Sequence, residues 1–340
     1  MRGWICLGVA LGFSTVLGCG EDDSGASTGG AGGAAGGGSG GASGSGAGAG
    51  GSAAGSAGQA GAGATSSGGA AGNAGAAGGG GAAGGGGAAG GGGAPQGSMQ
   101  FVGDFESGTL AGWLPSGNDT TQVVTSPVRS GKFAAFMQVG PTDSTPYRTE
   151  LTAGDKGTFY DGTEYWIGLS FRMVDWGATL PAWATLFQTH ATPHALSGGG
   201  FDWSCNAGKN SITVTTSGDQ MRLNVVVKPD QSKLPGTAAI ATEVWKEPFT
   251  LGVWVDWVFR YRPSTGADGI VEAWRNGEKI FSQMGANRFV LDNCNLPAAA
   301  QTYMKVGIYR EMANTSTQKL NYDEVRIFKG TNGYSAVAPK

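Results

Sequence analysis

From about residue 98 onward, short apolar and aromatic runs recur between clusters of Gly, Pro, Asn and Asp. They read FVGDFE, QVVTS, KFAAFMQV, YRTELT, EYWIGLSFRMV, ATLFQTH, SITVTT, MRLNVVV, WVDWVFRYRP, IVEAWRNGEKI, YMKVGIYR and LNYDEVRIF. Most alternate with a period of two and none holds a helical period over three turns, so each predicts a strand. Asn276-Gly277, between VEAWR and EKIFS, is a two-residue hairpin signal. About a dozen strands over this length predict an all-β, two-sheet β-sandwich of jelly-roll type. Short helices are expected only around Leu180–Trp183 and Pro297–Thr302.

One run departs from ordinary half-buried strand. In YMKVGIYR, Tyr303, Lys305 and Tyr309 share one face, with Gly307 between them. Met304, Val306 and Ile308 point the other way, into core. Two phenols and an ammonium around a position with no side chain read as the floor of a groove. Gly307 is expected to let a ligand approach the backbone closely.

The N-terminal part has a different character. Arg2 precedes an apolar run from Gly3 to Leu17 that is too short to span a bilayer and ends in small residues, as secretory signals do. Its end, VLGC, resembles the lipobox of bacterial lipoproteins, which makes residues 1–18 the signal and Cys19 the lipid-carrying residue. Residues 19–97 are almost only Gly, Ala and Ser and cannot bury enough surface to offset the entropy of ordering. They are expected to form a disordered tether with a span of roughly 45–50 Å. Residues 98–340 form the folded domain. The expected location is the outer membrane, through the lipid anchor, or the cell exterior.

Charge and cysteine narrow the partners. The net charge is −3, and removing Arg2, Glu21, Asp22 and Asp23 leaves −1 for the domain, which argues against nucleic acid. With Cys6 in the signal and Cys19 lipidated, Cys205 and Cys294 remain, and an exported chain is expected to join them as a disulfide. CxxC and HExxH spacings are absent and there are two His, so no His-rich metal site is expected. A monomer without a required cofactor is expected. Asp104, Glu106 and Asp323 are an optional structural Ca²⁺ set, with capping and turn roles as the simpler reading.

Two further strands carry unusual outward polar sets: Arg148 with Glu150 in YRTEL, and Gln188 with His190 in FQTH. The order R-x-E-L, Q-x-H, Y-x-K-x-G-x-Y resembles the jelly-roll polysaccharide lyases of concanavalin A-like fold. That group includes heparin lyase I-like, glucuronan lyase-like and alginate lyase-like enzymes. DFESGTLAGW, EYWIGLSF, VEAWRNGEKI and NYDEVRIF support the likeness, which runs over residues 101–329. VGIYR and the DEVRI ending bring it nearest to the heparin lyase I-like and glucuronan lyase-like branch. The alginate-type version continues R-x-E-L-R, whereas Thr152 stands at the second Arg here, which makes alginate a less attractive substrate.

The resemblance implies β-elimination on an anionic, uronic-acid-containing polysaccharide. Arg148 and Gln188 would neutralise the uronate carboxylate, and either His190 or Tyr309 would act as base, with Tyr309 also able to protonate the leaving oxygen. Lys305, Tyr303, Glu150 and Arg310 are expected to bind substrate, with Glu150 orienting Arg148 and Lys305 acting on the sugar or on Tyr309. His194, in HATPH, reads as a loop residue. Taken singly, these groups have ordinary readings: Arg148–Glu150 as a surface ion pair, Gln188 and His190 as satisfied core groups. A non-catalytic, lectin-like domain on the same sandwich is the alternative. A glycoside hydrolase would need two flanking carboxylates, and the E-x-D-x-x-E strand is absent.

Overall fold

The structure is a computed structural model that describes residues 93–117, 120–141, 147–192, 194–195, 201–202, 210–229, 241–288, 302–312 and 314–340. The expected signal, most of the tether, and Cys6, Cys19, Cys205 and Cys294 lie outside the described residues.

Two antiparallel sheets of eight strands face each other. In the first, the order is β16 (Glu278–Met284), β15 (Ile270–Arg275), β14 (Trp254–Arg262), β7 (Tyr165–Asp175), β18 (Gln318–Thr331), β4 (Ala134–Val139) and β3 (Thr120–Val124). The strand β1 (Gln96–Gly103) also pairs with β18. In the second, the order is β13 (Ala241–Pro248), β12 (Gln220–Val226), β11 (Ile212–Ser217), β8 (Ala184–Ala191), β17 (Thr302–Arg310), β5 (Arg148–Thr152) and β2 (Leu114–Gly117). Here β6 (Thr158–Phe159) also pairs with β17. A two-residue pair, β9 (His194–Ala195) with β10 (Phe201–Asp202), stands apart.

The period-two pattern has the predicted consequence. Met304, Val306, Ile308, Leu151, Phe187, Val214 and Leu223 of the second sheet meet Leu169, Phe171, Trp257, Phe259 and Ile327 of the first in one core. Phe187 and Phe259 stack across the sandwich, with centroids 4.8 Å apart and planes 3° apart. Each such side chain contributes about 1.5–3 kcal/mol on burial, which fixes the register of both sheets and thereby the outward face of the second. The Asn276-Gly277 hairpin forms as predicted, with φ of 48° and 85° joining β15 to β16.

One expectation needs correction. Leu180–Trp183 makes no helix and leads directly into β8, whereas the helical turns among the described residues are at Gly154–Gly157 and Tyr334–Val337. Of Pro297–Thr302, residues 297–301 lie outside the described set and Thr302 opens β17. The strand β1 runs from Gln96 and extends along β18.

Candidate active site

Three adjacent strands, β5, β17 and β8, bring the predicted polar sets together on the face of the second sheet away from the core. Arg148 lies opposite Tyr309, Glu150 opposite Gly307 and Thr152 opposite Lys305. On the other side of β17, Lys305 lies opposite Gln188 and Tyr303 opposite His190. Directly opposed side chains in such ladders are about 4.5–5.5 Å apart at Cβ. Seven of the eight predicted catalytic and binding residues therefore share one patch.

The centre of the patch is a buried polar chain. Gln188 Nε2 donates to Glu150 Oε1 at 2.7 Å, and Lys305 Nζ donates to Glu150 Oε2 at 3.2 Å. Asn210 Nδ2 donates to Gln188 Oε1 at 2.6 Å. With its oxygen held by Asn210, the amide of Gln188 can only present N–H groups to the carboxylate and the groove. Glu150 thus serves Gln188 and Lys305, not the guide's role towards Arg148 that the sequence suggested. Burial is the largest single effect and works against the Lys305 ammonium, but Glu150 and Tyr303 together raise its pKa. Lys305 also lies 5.8 Å from the Tyr303 ring centroid.

His190 is held neutral. Burial, then the positive charges of Lys305 and Arg148, lower its pKa to about 3, against a smaller opposing effect of the Ala191 carbonyl. Its Nδ1 lies 2.6 Å from that carbonyl oxygen, so Nδ1 carries the proton and Nε2 the lone pair. The ring tilts against Tyr303, 5.2 Å between centroids. A neutral imidazole flanked by two cations is a base positioned where an anionic substrate is attracted.

Tyr309 stands between aromatic walls. Tyr147 stacks on it at 5.3 Å, and Trp183 meets it edge-on at 5.0 Å. Counting along β8, Thr185, which faces Tyr309, lies five residues from His190, roughly 16 Å of strand. The phenol and the imidazole therefore approach from opposite ends of the patch and leave space between them for a sugar.

One expectation about this strand changes. Arg310 is fully buried on the core side of β17 and donates to the carbonyls of Glu311, Asn314, Gly140 and Ser316. It organises the end of the strand and does not face the groove. Gly307 is required by its neighbour as well: at φ +147° a Cβ would lie 2.2 Å from the Thr149 carbonyl oxygen on β5.

The carboxylates of the optional cation set accept backbone N–H groups. Asp104 accepts from Glu106 N–H, Glu106 from the N–H groups of Lys132 and Phe133, and Asp323 from those of Arg129, Ser130 and Glu324. Among the described residues no group of three or more His, Cys, Asp or Glu side chains converges as metal ligands. His194 lies in β9, with its side chain outside the described set. Sequence reading missed Asn210, Tyr147 and Trp183. Asn210 and Trp183 sit outside the runs, so pattern gave no signal for them, whereas Tyr147 opens the YRTELT run and was passed over just ahead of β5.

A family profile described as polysaccharide lyase matches residues 105–326. A sequence search of curated proteins gave no match. Among solved structures, the endo-β-1,4-glucuronan lyase of the fungus Trichoderma reesei is similar at 19% identity with a TM-score of 0.54, covering 72% of this chain and 99% of its own. Cellulose induced protein Cip1 gives 15%, 0.42, 67% and 96% on the same measures. Alginate lyase A1-II′ gives 14%, 0.39, 58% and 80%. At these identities only the first likeness has weight, and it speaks for the fold.

Proposed function

The chain belongs to the polysaccharide lyase family, and from that premise we propose that it cleaves a uronic-acid-containing polysaccharide by β-elimination. The observation that carries this reading is a neutral imidazole on the same groove floor as Lys305, Arg148 and the Gln188 amide. Elimination removes the proton from C5 of a uronate, which is barely acidic while the adjacent carboxylate is fully negative. Arg148, and the amide N–H groups of Gln188, offset that charge and stabilise the enolate-like anion as it develops, commonly the largest electrostatic contribution. His190 Nε2 takes the C5 proton. The C4–O4 bond then breaks, C4=C5 forms, and the Tyr309 hydroxyl gives its proton to the departing oxygen. Lys305, held by Glu150, adds positive charge beside the base, and Tyr303 offers an aromatic face to the sugar.

The same reading has the protein exported by residues 1–18, held at the outer membrane by lipid on Cys19, and spaced from it by residues 19–97. The VLGC ending and the Gly/Ala/Ser composition support it. Labelled fatty acid should enter the wild-type protein and not Cys19→Ser; equal labelling would remove the anchor from the account.

Incubation with a panel of polyuronates and glycosaminoglycans, followed by the ultraviolet absorbance of the unsaturated product, tests the activity. Absorbance should rise on at least one uronate polymer. Folded protein that gives no signal on any of them overturns the substrate class.

A further inference from the structure

Tyr322 reaches the site from the opposite sheet. It lies on β18, fully buried, with its ring edge-on to Phe171 at 5.9 Å. Its hydroxyl donates to the carbonyl of Leu186 on β8, with the backbone of Gly307 on β17 beside it. Burial pushes its pKa far above the usual phenol range, so it remains a protonated donor.

Those two backbone groups lie where the second sheet breaks its ladder. Between β17 and β8 the pairing steps from Val306–Phe187 to Tyr309–Thr185, so Gly307 and Ile308 face Leu186 alone. Between β8 and β11 it steps from Phe187–Val214 to Thr185–Thr215, which makes Leu186 an extra residue. Leu186 and Phe187 consequently both point into the core. The groove-facing series on β8 changes from Gln188 and His190 to Thr185. A bulge of this kind bends the strand and increases its twist. This one falls between the end of the patch that carries His190 and Gln188 and the end that carries Tyr309.

We propose that Tyr322 is a positioning residue, whose hydroxyl locks the Leu186–Gly307 bulge and so sets the Tyr309 phenol relative to His190 and Gln188. The proposal rests on the reading of His190 and Tyr309 as the reacting pair. A phenylalanine fills the same volume but takes its donor from the buried Leu186 carbonyl, and the bulge then has a reason to migrate. Migration by one residue turns side chains to the other face, so even partial slippage moves Tyr309. Misplacement by about an ångström in such a site costs up to roughly a hundredfold in rate.

The test compares Tyr322→Phe with Tyr165→Phe and Tyr309→Phe in the full chain. Tyr165 is a core residue of the first sheet whose hydroxyl accepts the Tyr160 N–H, and it serves as the control for losing a buried hydroxyl bond. With ring-labelled tyrosine, the NMR signal absent in Tyr309→Phe identifies Tyr309. That signal should shift or broaden in Tyr322→Phe and stay in place in Tyr165→Phe. On whichever panel polymer the wild type cleaves, Tyr322→Phe should lose about tenfold to a hundredfold in kcat with KM changed less than about twofold. Tyr165→Phe should keep the wild-type kcat. An unmoved Tyr309 signal, or a wild-type kcat in Tyr322→Phe beside an inactive Tyr309→Phe, overturns the positioning role alone. An active Tyr309→Phe overturns the reacting pair instead. Should Tyr322→Phe not fold, the wild type decides: the Tyr322 hydroxyl proton must resist exchange and show close contact with the Gly307 backbone, and a freely exchanging hydroxyl overturns the proposal.

Discussion

Removing either charge of the Glu150–Lys305 pair should be costly, and removing both should cost less than the two separate losses together. The side chains are 3% and 9% exposed and 3.2 Å apart. Taking away one partner leaves the other charge buried without compensation, a loss of about 3–5 kcal/mol, whereas replacing both is often close to neutral. Glu150→Gln keeps the shape and an acceptor oxygen, so it falls at the low end. Lys305→Met leaves the carboxylate with the Gln188 amide alone and falls at the high end. For a domain of this size each kcal/mol moves Tm by about 2–4 °C, giving losses of about 6–20 °C. Urea unfolding of both single variants and the double variant, read as a double-mutant cycle, should give a coupling of several kcal/mol at constant m. Costs that simply add, within about 0.5 kcal/mol, would refute the claim that these charges hold each other in the floor of the groove.

Other consequences follow from the same geometry. Tyr309→Phe should reduce turnover about a hundredfold to ten-thousandfold, with unchanged circular dichroism; retained activity would remove Tyr309 from the proton transfer. Because His190 is lowered to about 3, the neutral base is already present at pH 5, so kcat/KM should show no acid limb near 6.5 from this group. The sign for stability is the same. The folded protein disfavours the imidazolium, so the contribution is full above about 6.5 and is lost as pH falls towards 3, which unfolding midpoints measured across that range will register. Asn210→Ala frees the Gln188 amide to turn its oxygen towards the groove, and kcat/KM should fall about tenfold, with Asn210→Asp worse because a carboxylate repels that oxygen. Gly307→Ala forces a side chain into left-handed backbone against Thr149 and should cost at least about 1–3 kcal/mol in thermal unfolding.

The fold was readable because strands that bury one face must alternate, and most of the twelve runs did so. β13 escaped because half-exposed residues such as Thr242, Glu243 and Lys246 carry no apolar alternation. The site was readable for a related reason. Arg148, Gln188, His190, Lys305 and Tyr309 occupy outward positions where sequence shows the face directly, and pairing then brought β5, β17 and β8 side by side. Arg310 was misread because alternation was not carried one residue further: it has the parity of Met304 and Ile308, and its charge is met by carbonyls. The bulge at Leu186 was invisible, since it depends on which residues of three strands pair, and no single strand records that. Tyr322 could be assigned to the core from sequence, but its destination on the opposite sheet could not.

The central claim is that the bond is broken by elimination. The most direct measurement is mass analysis of the products formed from a uronate polymer in heavy-oxygen water. The account predicts a new chain end lighter than its hydrolytic counterpart by one water, unsaturated between C4 and C5, with no solvent oxygen incorporated during cleavage. Saturated ends carrying one solvent oxygen per cleavage would contradict it.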